Sequence, residues 1–410
     1  MLMVGLGCSG TVNYRELCGS FIGMYRHLES EGYSVPFSLH MKKKYSIWII
    51  ACIMLVGSVV VGDVLRNQTA HADSSAFIDQ FHKANVIGKT TAKNGDHNPY
   101  AVTLIKHSMG KLIEGNILVS NFDDKEGKKG KGTTLVQITP DGSVSDFAEI
   151  KPGGLPSKCE GGVGLTTGLV ILRRGWVIVS SLPTANGGPL TAQEGCLIVL
   201  DTEGSVVETI TGPQINGPWD IAVADFSDVA ALFVSNTLNG TVDASPNKVY
   251  AGTVVRIRLD VPYPDDGVPE VSSMIVIGSN FAERTDKAKM VYGPTGLALA
   301  SDGTLYVADS LNNRISAIHN ALFRMYSTGT GDDVSANGDI FLPEGIIMAP
   351  NGDIIVANHN GKLVEVSPEG TQVSVKDLHE GDYLTGMAVT ENEDGLYYVD
   401  DCEDTLKLYS

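Results

Sequence analysis

Basic residues are in short supply. Lysine and arginine number 30 against 48 aspartates and glutamates in 410 residues, a net charge of −18. A phosphate backbone or an anionic membrane surface is repelled over most of such an exterior, which excludes nucleic acid as a partner. Long apolar runs are missing as well. The stretch from about Ile47 to Val61 falls short of the roughly 20 residues a bilayer core needs, which favours a cleaved segment over a retained membrane anchor, and the mature chain is not expected to insert into a membrane. Cysteine is sparse: of six, Cys8, Cys18 and Cys52 lie before the cleavage point expected after Ala72, leaving Cys159, Cys196 and Cys402. An odd count is no disulfide framework. Cys159 and Cys196 either bridge, as an exported protein permits, or remain isolated thiols. No nucleophile elbow, phosphate loop or dinucleotide fingerprint occurs in a strand-to-helix context. His97 and His107 lack the partners of a zinc site.

What is present begins with an export signal. From Met41 the chain reads MKKKYSIWIIACIMLVGSVVVG, followed by Ala70-His71-Ala72, which is a basic n-region, an apolar core and a small-x-small cleavage site. Residues 1–40 are therefore expected to lie before the true start, 41–72 to form the signal peptide, and 73–410 to form the mature domain. Its N-terminus at Asp73 is checked by sequencing exported protein. Without residues 1–72 the chain keeps 24 basic and 44 acidic side chains, a net of −20.

With 46 glycines and 43% hydrophobic residues, the mature part is too turn-rich for a mainly helical fold and apolar enough for a large β core. It repeats. The first strand of each unit reads NPYAVTLI at 98, TTGLVIL at 166, GPWDIAVA at 217, GPTGLALA at 293, LPEGIIMA at 342 and LTGMAVT at 384. After a glycine turn each has a second strand, NILVSN, WVIVSS, ALFVSN, TLYVAD, DIIVAN or LYYVDD, and then a third. Matched positions Ala101, Gly168, Asp220, Gly296, Gly345 and Gly386 mark six blade-sized units of antiparallel strands. The chain stops after the third strand of unit six. An unpaired edge is a liability, so residues 76–93 are the expected donors of the missing strand, closing a six-bladed all-β propeller.

Residues 293–318, with G-P-T-G-L-A-L, D-G-T-L-Y-V-A-D-S and N-N-R-I, resemble the repeat of the NHL family of six-bladed propellers, and the resemblance extends over about 76–410. It implies two rings of side chains at one mouth of the central channel. The strand-start ring is Tyr100, Thr167, Trp219, Thr295, Glu344 and Thr385; the strand-end ring is Asn121, Ser181, Asn236, Asp309, Asn358 and Asp401. The second ring carries only oxygen-bearing groups suited to a hard cation such as Ca²⁺, with Glu344, Asp309, Asn358 and Asp401 as the candidate ligands. The competing reading is that these short side chains cap their own turns.

The same architecture is shared by the senescence-marker and gluconolactonase family. Its metal site draws carboxylates and amides from strand starts, and Pro343-Glu344-Gly345 resembles one of its motifs. The peptide-amidating lyase family presents histidines there, and no strand start here is His. The binding candidates are Tyr100, Trp219, Glu344 and His359. Trp219 either stacks on a ligand or packs between blades; His359 serves as base or ligand, or is a solvated loop residue. The function expected is exported binding of a small molecule or protein partner at the strand-start face. The alternatives are a divalent-metal-dependent hydrolase or lactonase-like enzyme, and a surface scaffold. The Asp123–Gly132 stretch DDKEGKKGKG is expected to be a solvated loop.

Overall fold

A computed structural model describes residues 75–410 apart from 157–158, 160, 288–289 and 379–383; the signal segment and the 1–40 extension lie outside these residues. The described residues form six antiparallel sheets, four-stranded except for the third, which has five; the first five are wound outward in sequence order, and the sixth takes its outermost strand from the N-terminal segment. The innermost strands are His97–Leu104, Leu165–Ile171, Pro218–Asp225, Pro294–Leu299, Pro343–Met348 and Leu384–Val389. Each touches the innermost strand of the next sheet, including the last with the first. The sheets are the blades of a closed six-bladed β-propeller.

The core is distributed over the six gaps between blades, one apolar cluster in each. Period-2 geometry explains how one strand serves two gaps. In Val177–Ser181, Val177 and Val179 face blade one while Ile178 faces blade three. In Cys196–Leu200, Ile198 and Leu200 face blade one, and Leu197 and Val199 face blade three. Both faces are buried, so the middle strands read as continuous apolar runs.

Hydroxyl groups stitch the innermost strands around the ring. Ser120 Oγ donates to the Thr166 carbonyl, Ser180 Oγ to that of Trp219, and Ser235 Oγ to that of Thr295, at 2.8, 2.9 and 2.7 Å. Thr295 Oγ1 donates to the Pro343 carbonyl at 3.0 Å, and Thr385 Oγ1 to that of Tyr100 at 3.3 Å. Each bond ties one blade to the next and gives a buried main-chain carbonyl a partner from the neighbouring blade. Such close approach requires small residues: a Cβ on Gly345 would collide with the Thr385 carbonyl and one on Gly386 with that of Tyr100.

The ring closes as the unpaired edge demanded. Ala84–Lys89 pairs antiparallel with Thr405–Tyr409, adding the fourth strand to blade six. Upstream, the short turn Phe77–Gln80 is pinned to blade five, where Glu365 accepts the backbone N–H groups of Phe77 and Ile78 at 2.7 and 2.8 Å. Phe77, Ile78 and Phe81 complete the cluster between blades five and six.

Cys159 and Cys196 form a disulfide with Cα atoms 5.6 Å apart, tying the segment before the innermost strand of blade two to that blade's third strand. In the lysine-rich loop Asp124 Oδ1 accepts the N–H groups of Glu126 and Lys128, an exposed self-capped turn. Among the described residues no helix is long and apolar enough to cross a membrane.

Candidate functional site

The strand-start ring lies at the mouth where inner strands begin, and its described members are closely packed. Tyr100 and Trp219 are fully buried. Their rings meet edge-on at 5.7 Å, and Phe122 lies 4.8 Å from Tyr100. Blade three carries the longest outer strand, Glu270–Asp286, which turns back into Met290–Tyr292. Met290 and Val291 pack with Leu182 on this aromatic group. Trp219 and Tyr100 are thus parts of a packed cluster.

The strand-end residues hold the chain entering or leaving their own blades. Asn121 Nδ2 donates to the Thr90 carbonyl, and Ser181 Oγ accepts from Gly164 N–H. Asn358 donates to the Asp339 carbonyl at 2.8 Å and accepts from Phe341 N–H at 3.2 Å. Asp309 takes Arg314 Nε at 2.8 Å and the amide of Asn312 at 2.9 Å. Asn236 differs, being buried with neither amide atom paired to any described residue. The sixth member is Asp400, since it is Asp400 that pairs with Leu384 in the way that Asn358 pairs with Pro343. Strand Leu396–Asp400 has five residues, as do Ile354–Asn358 and Leu305–Asp309, so Asp401 lies one step beyond the ring. Asp400 forms a buried ion pair with Lys407 at 2.8 Å. Its Oδ1 also accepts the N–H groups of Cys402 and Glu403.

Asp401 and Glu344 nevertheless act on one group. The Tyr100 phenol is held well above its ordinary range by burial and, in decreasing order, by the charges of Asp401, Glu344 and Asp123. His359 is half-buried, its Nε2 3.4 Å from the Tyr292 hydroxyl and the two rings edge-on.

Below the aromatic cluster all six inner strands line one cavity of about 150 Å³, with Val102, Leu169, Asp220, Leu297, Glu344 and Met387 among its walls. Two of these are carboxylates. Glu344 belongs to the strand-start ring, whereas Asp220 occupies the position that is glycine in four of the other blades and alanine in the fifth. Its Oδ2 accepts Leu297 N–H of the next blade at 2.8 Å and its Oδ1 accepts Ile221 N–H at 2.8 Å. Burial raises its pKa from 3.8 to about 7 against the pull of those two bonds. Sequence reasoning passed over Asp220, although the signal was visible: it is the one acidic residue in a column of small ones.

A second buried acid stands outside the channel. Glu283, on the long outer strand of blade three, is fully buried. Burial pushes it from 4.5 to about 9, against the opposing pull of the Asn239 main-chain N–H. Both acids bind protons more tightly folded than unfolded, so their contribution to stability is complete in acid and is lost as pH rises through the folded pKa. Stability is therefore expected to decline between about pH 4 and 7 through Asp220 and between about 4.5 and 9 through Glu283. Denaturant titrations across pH check this. Asp220→Asn should flatten the first interval and Glu283→Gln the second; parallel curves for variant and wild type would contradict the assignment.

Residues 292–318 match the NHL repeat. That is the unit whose resemblance is most complete. No curated protein matches this sequence. Among solved structures, a gluconolactonase from Xanthomonas campestris is 14% identical, with 79% of this chain and 88% of that one covered at a TM-score of 0.49. The calcium-binding protein regucalcin from Agrobacterium tumefaciens is 14% identical, with 79% and 94% covered and a TM-score of 0.49. Virginiamycin B lyase from Staphylococcus aureus, solved with quinupristin, is 13% identical, with 80% and 100% covered and a TM-score of 0.45.

A hard divalent cation of the Ca²⁺ type takes about six to eight oxygen ligands. Asp309 and Asn358 are engaged by Arg314, Asn312, Asp339 and Phe341. The Thr295 and Thr385 hydroxyls are bonded to main-chain carbonyls. The remaining oxygen donors in the cavity wall among the described side chains are those of Asp220 and Glu344, which do not make a complete Ca²⁺ cage.

Proposed function

We propose that the protein is an exported propeller that binds a small cationic or donor-rich ligand in its central channel, with Asp220 and Glu344 as the acceptors. The observation that carries this reading is the presence of two carboxylates in the wall of one cavity where all six blades meet. Val102, Leu169, Leu297 and Met387 make the rest of that wall apolar, where the field of two carboxylates is weakly screened and favours a ligand that carries positive charge or several donors. Export is supported by the signal-like segment 41–72 and by the Cys159–Cys196 bridge, which suits an oxidising compartment.

The test is calorimetric titration with ethylenediamine, glycerol, glucose, Mg²⁺ and Ca²⁺, each against wild type, Asp220→Asn and Glu344→Gln. At least one probe is expected to bind and to lose about tenfold or more in affinity in both variants, the size of a lost charge-assisted hydrogen bond. Binding that is absent for every probe, or indifferent to both substitutions, would sink the reading.

One observation favours a hydrolytic role for the same channel. Asp220, with its pKa at about 7, is poised to exchange a proton at neutral pH, as a general acid or base must. The metal-dependent version requires Asp309 and Asn358 to release their present partners; a metal-independent version needs Asp220 alone. Hydrolysis of simple lactones that follows a pKa near 7 and disappears in Asp220→Asn would establish it.

A further inference from the structure

The opposite face of the propeller, where inner strands end, carries a feature unrelated to the channel. Between blades three and four a groove of about 550 Å³ runs between the turn at Phe226 and the loop carrying Phe323 and Met325, with Arg256 and Arg258 in its floor. Phe226, Phe323 and Met325 are 58%, 74% and 69% exposed, although each is a residue that gains by burial. Arg256 and Arg258 stand two apart on strand Val249–Asp260 and so share a face. Arg256 is buried and donates through Nη1 to the Ala321 and Leu322 carbonyls at 3.1 and 2.6 Å. Burial, and after it the charge of Arg258, lower its pKa. Arg258 is exposed. Among the described residues neither forms an ion pair, in a chain with a surplus of 18 acidic groups.

Two adjacent cations held together without a carboxylate, beneath uncovered aromatic and thioether side chains, describe half of a complex. The missing half has one negative charge to neutralise Arg258 and an apolar body to cover Phe226, Phe323 and Met325. Asp228 on the rim opposes a second negative charge, which selects a monoanion over a phosphate or polyanion. The volume falls within the range of small-ligand sites.

We infer that this groove binds a small monocarboxylic acid with a hydrocarbon or aromatic body, its head group on Arg258 and its body between Phe226, Phe323 and Met325. Octanoate, 1-octanol and acetate separate the contributions of head and tail. In calorimetric titrations of the intact propeller, octanoate is expected to bind at one saturable site, at least about tenfold more tightly than either 1-octanol or acetate. Arg258→Gln should weaken octanoate about tenfold or more and leave 1-octanol unchanged. Phe323→Ser should weaken octanoate and 1-octanol alike. Both side chains are exposed, so unchanged unfolding midpoints verify that the variants fold. Asp220→Asn should have no effect on octanoate, which keeps this site distinct from the channel.

Absence of saturable octanoate binding overturns the inference, as does binding that ignores both Arg258→Gln and Phe323→Ser. Sedimentation of the same proteins tests a second occupant. If wild type dimerises, Phe323→Ser abolishes the dimer and octanoate neither binds nor competes, the groove is an interface between copies and the inference is wrong.

Discussion

Deletion of residues 76–93 is expected to lower the thermal midpoint by roughly 7–13 °C. The segment buries Phe77, Ile78 and Phe81 in the gap between blades five and six, about 5–9 kcal/mol of apolar burial at the usual 1.5–3 kcal/mol for each large side chain. It also covers the edge of Thr405–Tyr409. Its removal takes two backbone N–H donors from Glu365, which also accepts from the Asn351 amide at 2.8 Å. That carboxylate is fully buried, so its lost partners add a desolvation penalty. Differential scanning calorimetry of the truncated domain gives the answer directly. The double variant Phe77→Ala/Phe81→Ala separates the anchoring turn from the strand and should reproduce a large part of the loss. A truncated protein as stable as the intact one would show that blade six closes without the arm.

Trp219→Ala should destabilise the domain by about 3–5 kcal/mol, the usual range for an aromatic removed from a packed core. For a domain of this size that is a fall in midpoint of roughly 4–7 °C. The indole is fully buried, edge-on to Tyr100 and to Phe122 at 5.7 and 6.3 Å, in the cluster that also holds Met290 and Val291. The cavity left by its removal spans the junction of the strand-start ring with the extension of blade three. Trp219→Phe should recover part of the loss by refilling it. A Trp219 whose purpose is to stack on a ligand predicts the opposite pattern: an unchanged midpoint for Trp219→Ala without ligand, and a loss confined to binding. Unfolding curves with and without the channel probes distinguish the two.

The blades could be read from the chain because their physics is local and repeated. Each unit carries an apolar run, a glycine turn and a second run ending in a short polar residue, and antiparallel pairing follows from neighbours in sequence. The N-terminal closing strand was legible for a related reason: a three-stranded last unit leaves an edge, and only the segment before the first unit was free to fill it. The serines of VSN and VSS were visible as letters. Their role was not, because the carbonyls they reach, such as Thr166, Trp219 and Thr295, belong to the next blade.

The site depends on contacts that cross blades, and the sequence reading weakens in that proportion. Register decided between Asp400 and Asp401, and a side-chain bond decided that Asp309 serves Arg314. Asp220 became prominent only once the strands were brought around a common axis, where a carboxylate in place of glycine reaches Leu297 in the adjacent blade. Glu365 and the Arg256–Arg258 groove likewise join segments far apart in sequence, Phe77 to blade five and Phe226 to Met325. The sequence by itself determined the number of blades, their strand pattern and the donor of the last strand, since period-2 burial and turn chemistry act over a few residues. Which polar groups face the channel and which cap a turn was decided by tertiary structure alone. A ring closure superimposes residues that no local periodicity relates.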